Sequence, residues 1–383
     1  MYLFEVSEDM FNLLIYSVVI IIVVNIALFR KYLFQKNRYN QKSFINDEVF
    51  TNQMNKAPVF NIFLIATILS LYSAYLATSG YLTDTDRYAW SFLYRYPEYN
   101  NSLMVLFDSG TEIGFLLINI LIAGFTDNPY WLFLIVGFIT TFINLYSAAK
   151  ISKSYTLLVF LYLVSLYFFY STFLLRQILA VSFINLAFIS YLREQKYKYF
   201  FYCIVALSFH ATSLILFPIF FIFKKVKTSK EYFYLIIISI IVFISFGPIF
   251  NVLLPKLPYI NQFLNVEEMN LSTGGGSFTS IFKGIPYYLL TIVAIVRRNK
   301  LKQMMYKADF YILCSVFYSI SWLLTYNMYW FFRMGMYFLL PTLVLVPNLF
   351  STIRNPKRRI LYYFIFIFTL IFITYRQIFI TLL

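Results

Sequence analysis

The sequence predicts an all-α, polytopic integral membrane protein of about 11–13 membrane helices, short or re-entrant ones included. Three observations carry that prediction. The 383 residues are 61% hydrophobic and only 12% charged, with 46 Phe and 35 Tyr, an apolar load well above that of soluble domains. Apolar runs near the ~20 residues that a span requires recur along the chain. Most of the 31 Lys and Arg fall in six segments between those runs, at 30–56, 150–153, 193–198, 224–230, 297–307 and 354–359. This is the bias that marks cytoplasmic loops and draws them to anionic lipid. The net charge of +15 therefore predicts membrane lipid as a partner, and no nucleic acid. Residues 1–383 read as a single membrane domain, without soluble domain, internal repeat or heptad.

The elements follow in order. Met10–Phe29 reads as a first span entering from outside. The start Met1–Asp9 is acidic and lacks the basic n-region of a cleaved signal peptide, and 30–56 is basic. Val59–Ser79 returns outward. Residues 80–110 form an outer polar or re-entrant region with Asp84, Asp86, Arg87, Tyr88 and Asp108. Ile113–Phe125 is apolar but short, and Tyr130–Ala149 is a full span ending at Lys150. Two complete crossings after an external Asp84 would leave Lys150 outside. Either 88–107 dips into the membrane or Ile113–Phe125 does not fully cross. Irregular backbone at membrane depth requires burial or a wet cavity, so the anomaly marks a cavity.

Tyr155–Phe173 goes outward and Leu175–Leu192 returns, placing Arg176 at the outer end of its helix. Tyr199–Phe223 lies between two basic segments. Two short helices with His210 at the apex keep both flanks inside; one helix of that length would put a basic segment outside. Tyr232–Leu254 leads to a second outer loop at 255–283, with Glu267, Glu268 and Gly274-Gly-Gly276. Ile285–Val296, Phe310–Tyr326, Met334–Phe350 and Ile360–Leu382 complete the bundle. Cys203 and Cys314 sit in apolar segments and suggest neither a disulfide nor a metal site.

The chemistry-bearing residues gather on the outer half: Asp84, Asp86, Arg87, Glu112, Arg176, His210 and Arg333. An arginine at mid-membrane costs about 2.5–3.5 kcal/mol on insertion scales and is usually paired or wet. Arg176 and Arg333 offer planar forks suited to phosphate, and Gln177 adds a neutral hydrogen bond. His210, the single histidine, is a candidate general base or hydrogen-bond donor, or a packing residue. Asp84 and Asp86 read either as a carboxylate pair or as the start of a helix. Trp90, Tyr94, Tyr96 and Tyr99 read as sugar-stacking rings or an interfacial aromatic belt. The sequence contains no nucleotide-binding glycine loop, nucleophile elbow or zinc motif, and predicts neither cofactor nor metal.

At these residues the chain resembles the EpsG/Wzy-type bacterial polysaccharide polymerases. Thr83-Asp-Thr-Asp-Arg-Tyr88 is similar to that family's Gly-Thr-Asp-x-x-x-Tyr segment. Glu112-Ile-Gly-Phe115 resembles its Glu-x-Gly-Phe/Tyr, and Leu175-Arg-Gln-Ile-Leu-Ala180 its Ile-Arg-Gln-x-Ile-Ala. Phe209-His-Ala-Thr-Ser-Leu-Ile215 resembles Phe-His-x-Ser-Ala-Leu-Ile, and Arg333 stands where the family often has a late arginine. The chain departs at Leu82, where glycine is expected, and at the inserted Thr212. The resemblance implies a GT-C-like bundle with an outward cavity in a bacterial plasma membrane. It implies inverting transfer between undecaprenyl-diphosphate-linked oligosaccharide donor and acceptor, with a chain-length regulator and a flippase as candidate partners. His210, Asp84 and Arg176 are then the expected catalytic residues. Arg176, Gln177, Arg333, Asp86, Arg87, Tyr88 and Glu112 are expected to bind substrate. The alternatives are a lipid-linked oligosaccharide flippase, which commonly shows repeats and a midplane site, and a membrane acyltransferase acting on exported sugars.

Overall fold

The computed structural model describes residues 59–78, 83–95, 112–152, 155–226, 228–253, 278–326 and 330–382. The first span, the basic segment 30–56 and residues 255–277 of the second outer loop lie outside the described residues. So do Tyr96, Tyr99 and Asp108.

The described chain is all-helical. In order it forms α1 (Val59–Thr78), α2 (Thr83–Trp90) running into a π turn at Ser91–Arg95, α3 (Ile113–Ala123), α4 (Tyr130–Ile151), α5 (Tyr155–Val164) and α6 (Leu166–Ser171). Then come α7 (Leu175–Leu192), α8 (Lys196–Phe209), a 3₁₀ turn at Ala211–Ile215, α9 (Leu216–Lys225) and α10 (Ser229–Leu253). The bundle closes with α11 (Phe278–Val296), α12 (Arg298–Lys302), α13 (Ala308–Leu324), α14 (Trp330–Ser351) and α15 (Pro356–Leu382). Among the described residues five helices are long and apolar enough to cross a membrane: α1, α4, α7, and most of α14 and α15. This is a multi-pass membrane protein.

Lipid and leucine are equally apolar, so helix association in a membrane relies on close packing and on hydrogen bonds between helices. Both devices are present. On α1 the buried face is mostly small, with Ala66, Ser70, Ser73, Ala74 and Ala77 beside Ile62 and Leu69. Gly137 of α4 sits against Ser70, and a Cβ there would already be 3.6 Å from the Ser70 Cβ. Between α7 and α4, Asn185 Nδ2 donates to Asn144 Oδ1 at 2.9 Å. Between α11 and α13, Thr291 Oγ1 shares a hydroxyl cluster with Ser315 and Ser319. The outward faces of α10 and α15 are the reverse, with Ile237, Ile238, Ile241, Phe364 and Phe368 exposed as a lipid-facing helix requires.

Residues 199–223 fold back on themselves. A straight helix would separate Tyr199 from Phe220 by roughly 31 Å at 1.5 Å per residue. Their rings lie 4.9 Å apart, and the Tyr199 hydroxyl donates to the Leu216 carbonyl at 2.7 Å. The reversal occurs at His210, whose extended backbone (φ −159°, ψ 123°) ends α8. α8 is only about 21 Å long. α3, at 11 residues, is roughly 16 Å long. It is too short for a hydrocarbon core of about 30 Å, as the alternative in which Ile113–Phe125 does not fully cross requires; most of 88–107 lies outside the described residues.

Two boundaries differ most from the expected ones. Tyr155–Phe173 is not one continuous helix: Ser165 turns extended and accepts from the Tyr167 N–H, opening α6 as a new helix. α11 begins at Phe278 and carries Pro286 inside it, whereas Ile285 was the expected start. A proline in a membrane helix is tolerated where the freed carbonyl finds another partner.

Among the described residues, the basic segments around 193–198 and 297–307 collect at one end of the bundle. Lys307 Nζ donates to the Leu192 carbonyl at 3.0 Å and pairs with Glu194 at 2.9 Å. Asp309 takes Arg298 at 2.6 Å and Lys302 at 2.9 Å, and Arg297 donates to Thr352. These contacts join the C-terminal end of α7 to the start of α13, that of α14 to the start of α12, and α12 to α13. The opposite ends of α7 and α14 carry Arg176 and Arg333.

Candidate active site

Three helix ends and the hairpin apex converge opposite the basic end. α3 begins after Glu112, α7 begins at Leu175 and α14 at Trp330, so each aims its N-terminus at the same region. Partial positive charge at helix N-termini favours anions and disfavours cations. Arg176 and Arg333 nevertheless stand in the first turns of α7 and α14, against that local preference, a conflict of the kind that marks candidate functional sites.

Glu112 is the centre of the arrangement. Its Oε2 accepts from Arg176 Nη1 at 2.7 Å, and its Oε1 accepts from His210 Nδ1 at 2.9 Å. One carboxylate thus joins the starts of α3 and α7 to the hairpin apex. Its side chain is 19% exposed and that of His210 13%, so the pairs lie between the weak surface case and the fully buried one. The close approach of α3 to α8 depends on Gly114. A Cβ there would fall 2.8 Å from the Ser208 carbonyl oxygen, closer than real Cβ contacts allow. With Nδ1 directed at a carboxylate, Nδ1 carries the hydrogen. Nε2 of the neutral ring is then a free acceptor, and it has no partner among the described residues.

Asp84, Arg87, Tyr88, Leu174, Arg176, Gln177, His210 and Arg333 line one cavity with about 460 Å³ of space between them, some of it open to solvent. Three arginines against Asp84 leave it net positive. The Tyr88 ring lies 6.0 Å from the Arg176 guanidinium carbon and 5.5 Å edge-on from Phe115. Gln177 Nε2 donates to the Arg333 backbone carbonyl, 156 residues away, which ties the start of α14 to α7. Gly335 lets α14 approach α13: its Cβ would lie 2.8 Å from the Ser321 Cβ.

The sequence-predicted residues are therefore placed as follows. Asp84, Arg87, Tyr88, Arg176, Gln177, His210 and Arg333 share the cavity, with Glu112 behind Arg176 and His210. Asp86 does not line it and is exposed. Residues two apart on a helix point to different faces, so Asp84 and Asp86, both in the first turn of α2, do not form the carboxylate pair. Glu112, expected to bind substrate, instead contacts the cavity's own side chains, Arg176 and His210, as a positioning residue would. Missed altogether was the bond between Thr212 Oγ1 and the Tyr337 hydroxyl, 2.8 Å and buried. Tyr337 lies four residues after Arg333, one turn along the same face, and that spacing was the available signal.

The model of the EpsG family matches residues 59–382, a span that includes every residue of the cavity. No curated protein and no solved structure matches the chain.

Proposed function

The chain belongs to the EpsG family, a polysaccharide-polymerase-related family, and from that premise we propose that it joins undecaprenyl-diphosphate-linked oligosaccharide repeat units into a surface polysaccharide. The reaction is inverting glycosyl transfer at the outer face of a bacterial plasma membrane. The basic end of the bundle faces the cytoplasm by the positive-inside rule, and the cavity lies at the other end.

The observation that carries this reading is Glu112 held between Arg176 and His210. A carboxylate fixing Nδ1–H of an imidazole leaves Nε2 oriented as a base, the logic of hydrolase triads. In the proposed step the acceptor hydroxyl oxygen bonds to the donor's anomeric carbon from the face opposite the diphosphate. The bond from that carbon to the diphosphate oxygen breaks, and its electron pair leaves with the diphosphate. The hydroxyl proton passes to His210 Nε2 and from there to water. Arg176 and Arg333, at positive helix ends, hold the departing charge. Stabilising charge that develops in the transition state is commonly the largest single catalytic contribution.

The test is polymerisation of purified lipid-linked repeat units by the protein in proteoliposomes. His210→Ala stops chain growth while the diphosphate still binds, so single units accumulate. His210→Gln keeps a hydrogen-bonding group without a usable base. It is inactive if His210 moves a proton. Full chain growth in both variants overturns the reading of His210.

A further inference from the structure

The cavity's polar atoms divide into two kinds, and the division says which part of a substrate each side takes. Among its lining residues, Arg333 Nε, His210 Nε2 and Gln177 Oε1 are buried without a partner among the described residues. Arg333 Nε only donates. The other two only accept, and each has its identity fixed by the atom behind it.

An amide side chain is ordinarily ambiguous between its oxygen and nitrogen. At Gln177 it is not. One end faces the Arg333 backbone carbonyl, which can only accept, so that end is Nε2 and the other is Oε1. Turning the amide over would set two oxygens against each other. His210 is fixed in the same way by Glu112. The Gln177 side chain is nine-tenths or more buried, at 3% residue exposure, so an empty Oε1 there is costly.

Phosphate oxygens under physiological conditions are acceptors. They satisfy the arginines and repel Oε1. A ligand that occupies the whole cavity must therefore bring hydrogen-bond donors to its Gln177 side, and a sugar supplies them as hydroxyls. Resting on the polymerase reading above, we propose that Gln177 Oε1 accepts a hydrogen bond from a second hydroxyl of the acceptor sugar. That hydroxyl is distinct from the one His210 deprotonates, so Gln177 selects the acceptor by the hydroxyl pattern of its terminal residue. This gives a direction to the neutral hydrogen bond expected of Gln177: one Nε2 hydrogen is spent on α14, and the unpartnered atom is an acceptor.

A site built to bond a hydroxyl rejects the analogue that lacks it, because its buried partner is left empty. The probe is the free repeat-unit oligosaccharide, released by mild acid from the lipid-linked pool of the source cells, and its monodeoxy analogues at each hydroxyl of the non-reducing sugar. Free oligosaccharide has no diphosphate, so equilibrium binding to the full protein is read without turnover. Removing the recognised hydroxyl weakens binding to wild-type protein by about 10- to 100-fold. In Gln177→Met, and in Gln177→Ala should methionine not fold, that ratio falls to about 1 at this hydroxyl only. Ratios at other hydroxyls persist.

A purely structural Gln177, acting by holding α14, weakens parent and deoxy ligands alike, leaves the ratio unchanged and overturns the proposal. Absence of saturable binding by wild-type protein overturns it as well. Chain growth from lipid-linked units is followed in the same preparations. A protein that polymerises but ignores every deoxy change retains the polymerase reading and loses this one. Hydroxyl-selective binding without chain growth does the reverse.

Discussion

The hydroxyls of Thr212 and Tyr337 meet at 2.8 Å, both buried, and so fasten the hairpin apex to α14 one turn beyond Arg333. Thr212 is the residue by which this chain departs from the family's Phe-His segment. Its neighbour two positions back is His210. The extra hydroxyl therefore acts as a pin between the turn that carries His210 and the helix that carries Arg333.

Tyr337→Phe leaves the Thr212 hydroxyl buried and unpaired. Stability in detergent falls by about 1 kcal/mol, the range of hydrogen bonds between membrane helices. Thr212→Val combined with Tyr337→Phe costs less than the two single changes summed, because neither orphan remains. Thermal unfolding of the four proteins gives the coupling; strict additivity means the pin contributes nothing.

Glu112→Gln keeps the shape of the side chain and removes its charge. Arg176 loses its counter-ion and His210 loses the acceptor that sets its tautomer. Chain growth drops by about 100-fold or more, at the scale of a base left in the wrong tautomer. Because Glu112 and His210 act as one unit, Glu112→Gln with His210→Ala is no slower than His210→Ala alone. Initial rates of the double change decide this, and a multiplicative loss separates the two residues.

Gly114→Ala forces the start of α3 off the Ser208 carbonyl and carries Glu112 with it. Activity falls much as in Glu112→Gln, although alanine is the better helix former. Retained activity would show that α3 can shift without moving Glu112.

Arg176→Lys keeps the positive charge and loses the planar fork. A single ammonium cannot hold Glu112 and a phosphate oxygen in fixed directions, so polymer yield falls by roughly tenfold or more with unchanged protein level. Full-length polymer at wild-type yield would reduce Arg176 to a general cation.

Much of this architecture is legible in the residues. The basic segments fixed which helix ends lie together, and the two flanking Tyr199–Phe223 called for a hairpin that the Tyr199–Phe220 contact displays. The break at Ser165 was not legible, because the hydropathy of Tyr155–Phe173 runs on through it. Nor was the role of Glu112. Its partners lie 64 and 98 residues away, and the pairing exists only once three chain ends are set side by side. Gln177 was visible as a polar residue beside Arg176, but which of its atoms stays open depends on a carbonyl 156 residues later.

The hairpin also governs how the rest of the chain is to be counted. Both ends of 196–225 return to the same end of the bundle, so the segment adds nothing to the tally of crossings. Anyone scoring it as one span inverts the assigned side of every helix that follows. Arg333 would then be drawn on the opposite face of the bilayer from Arg176, and a reporter fused after Leu324 would seem to contradict one fused before Leu175. An orientation map of this protein therefore hinges on one histidine-bearing turn that a hydropathy plot passes over.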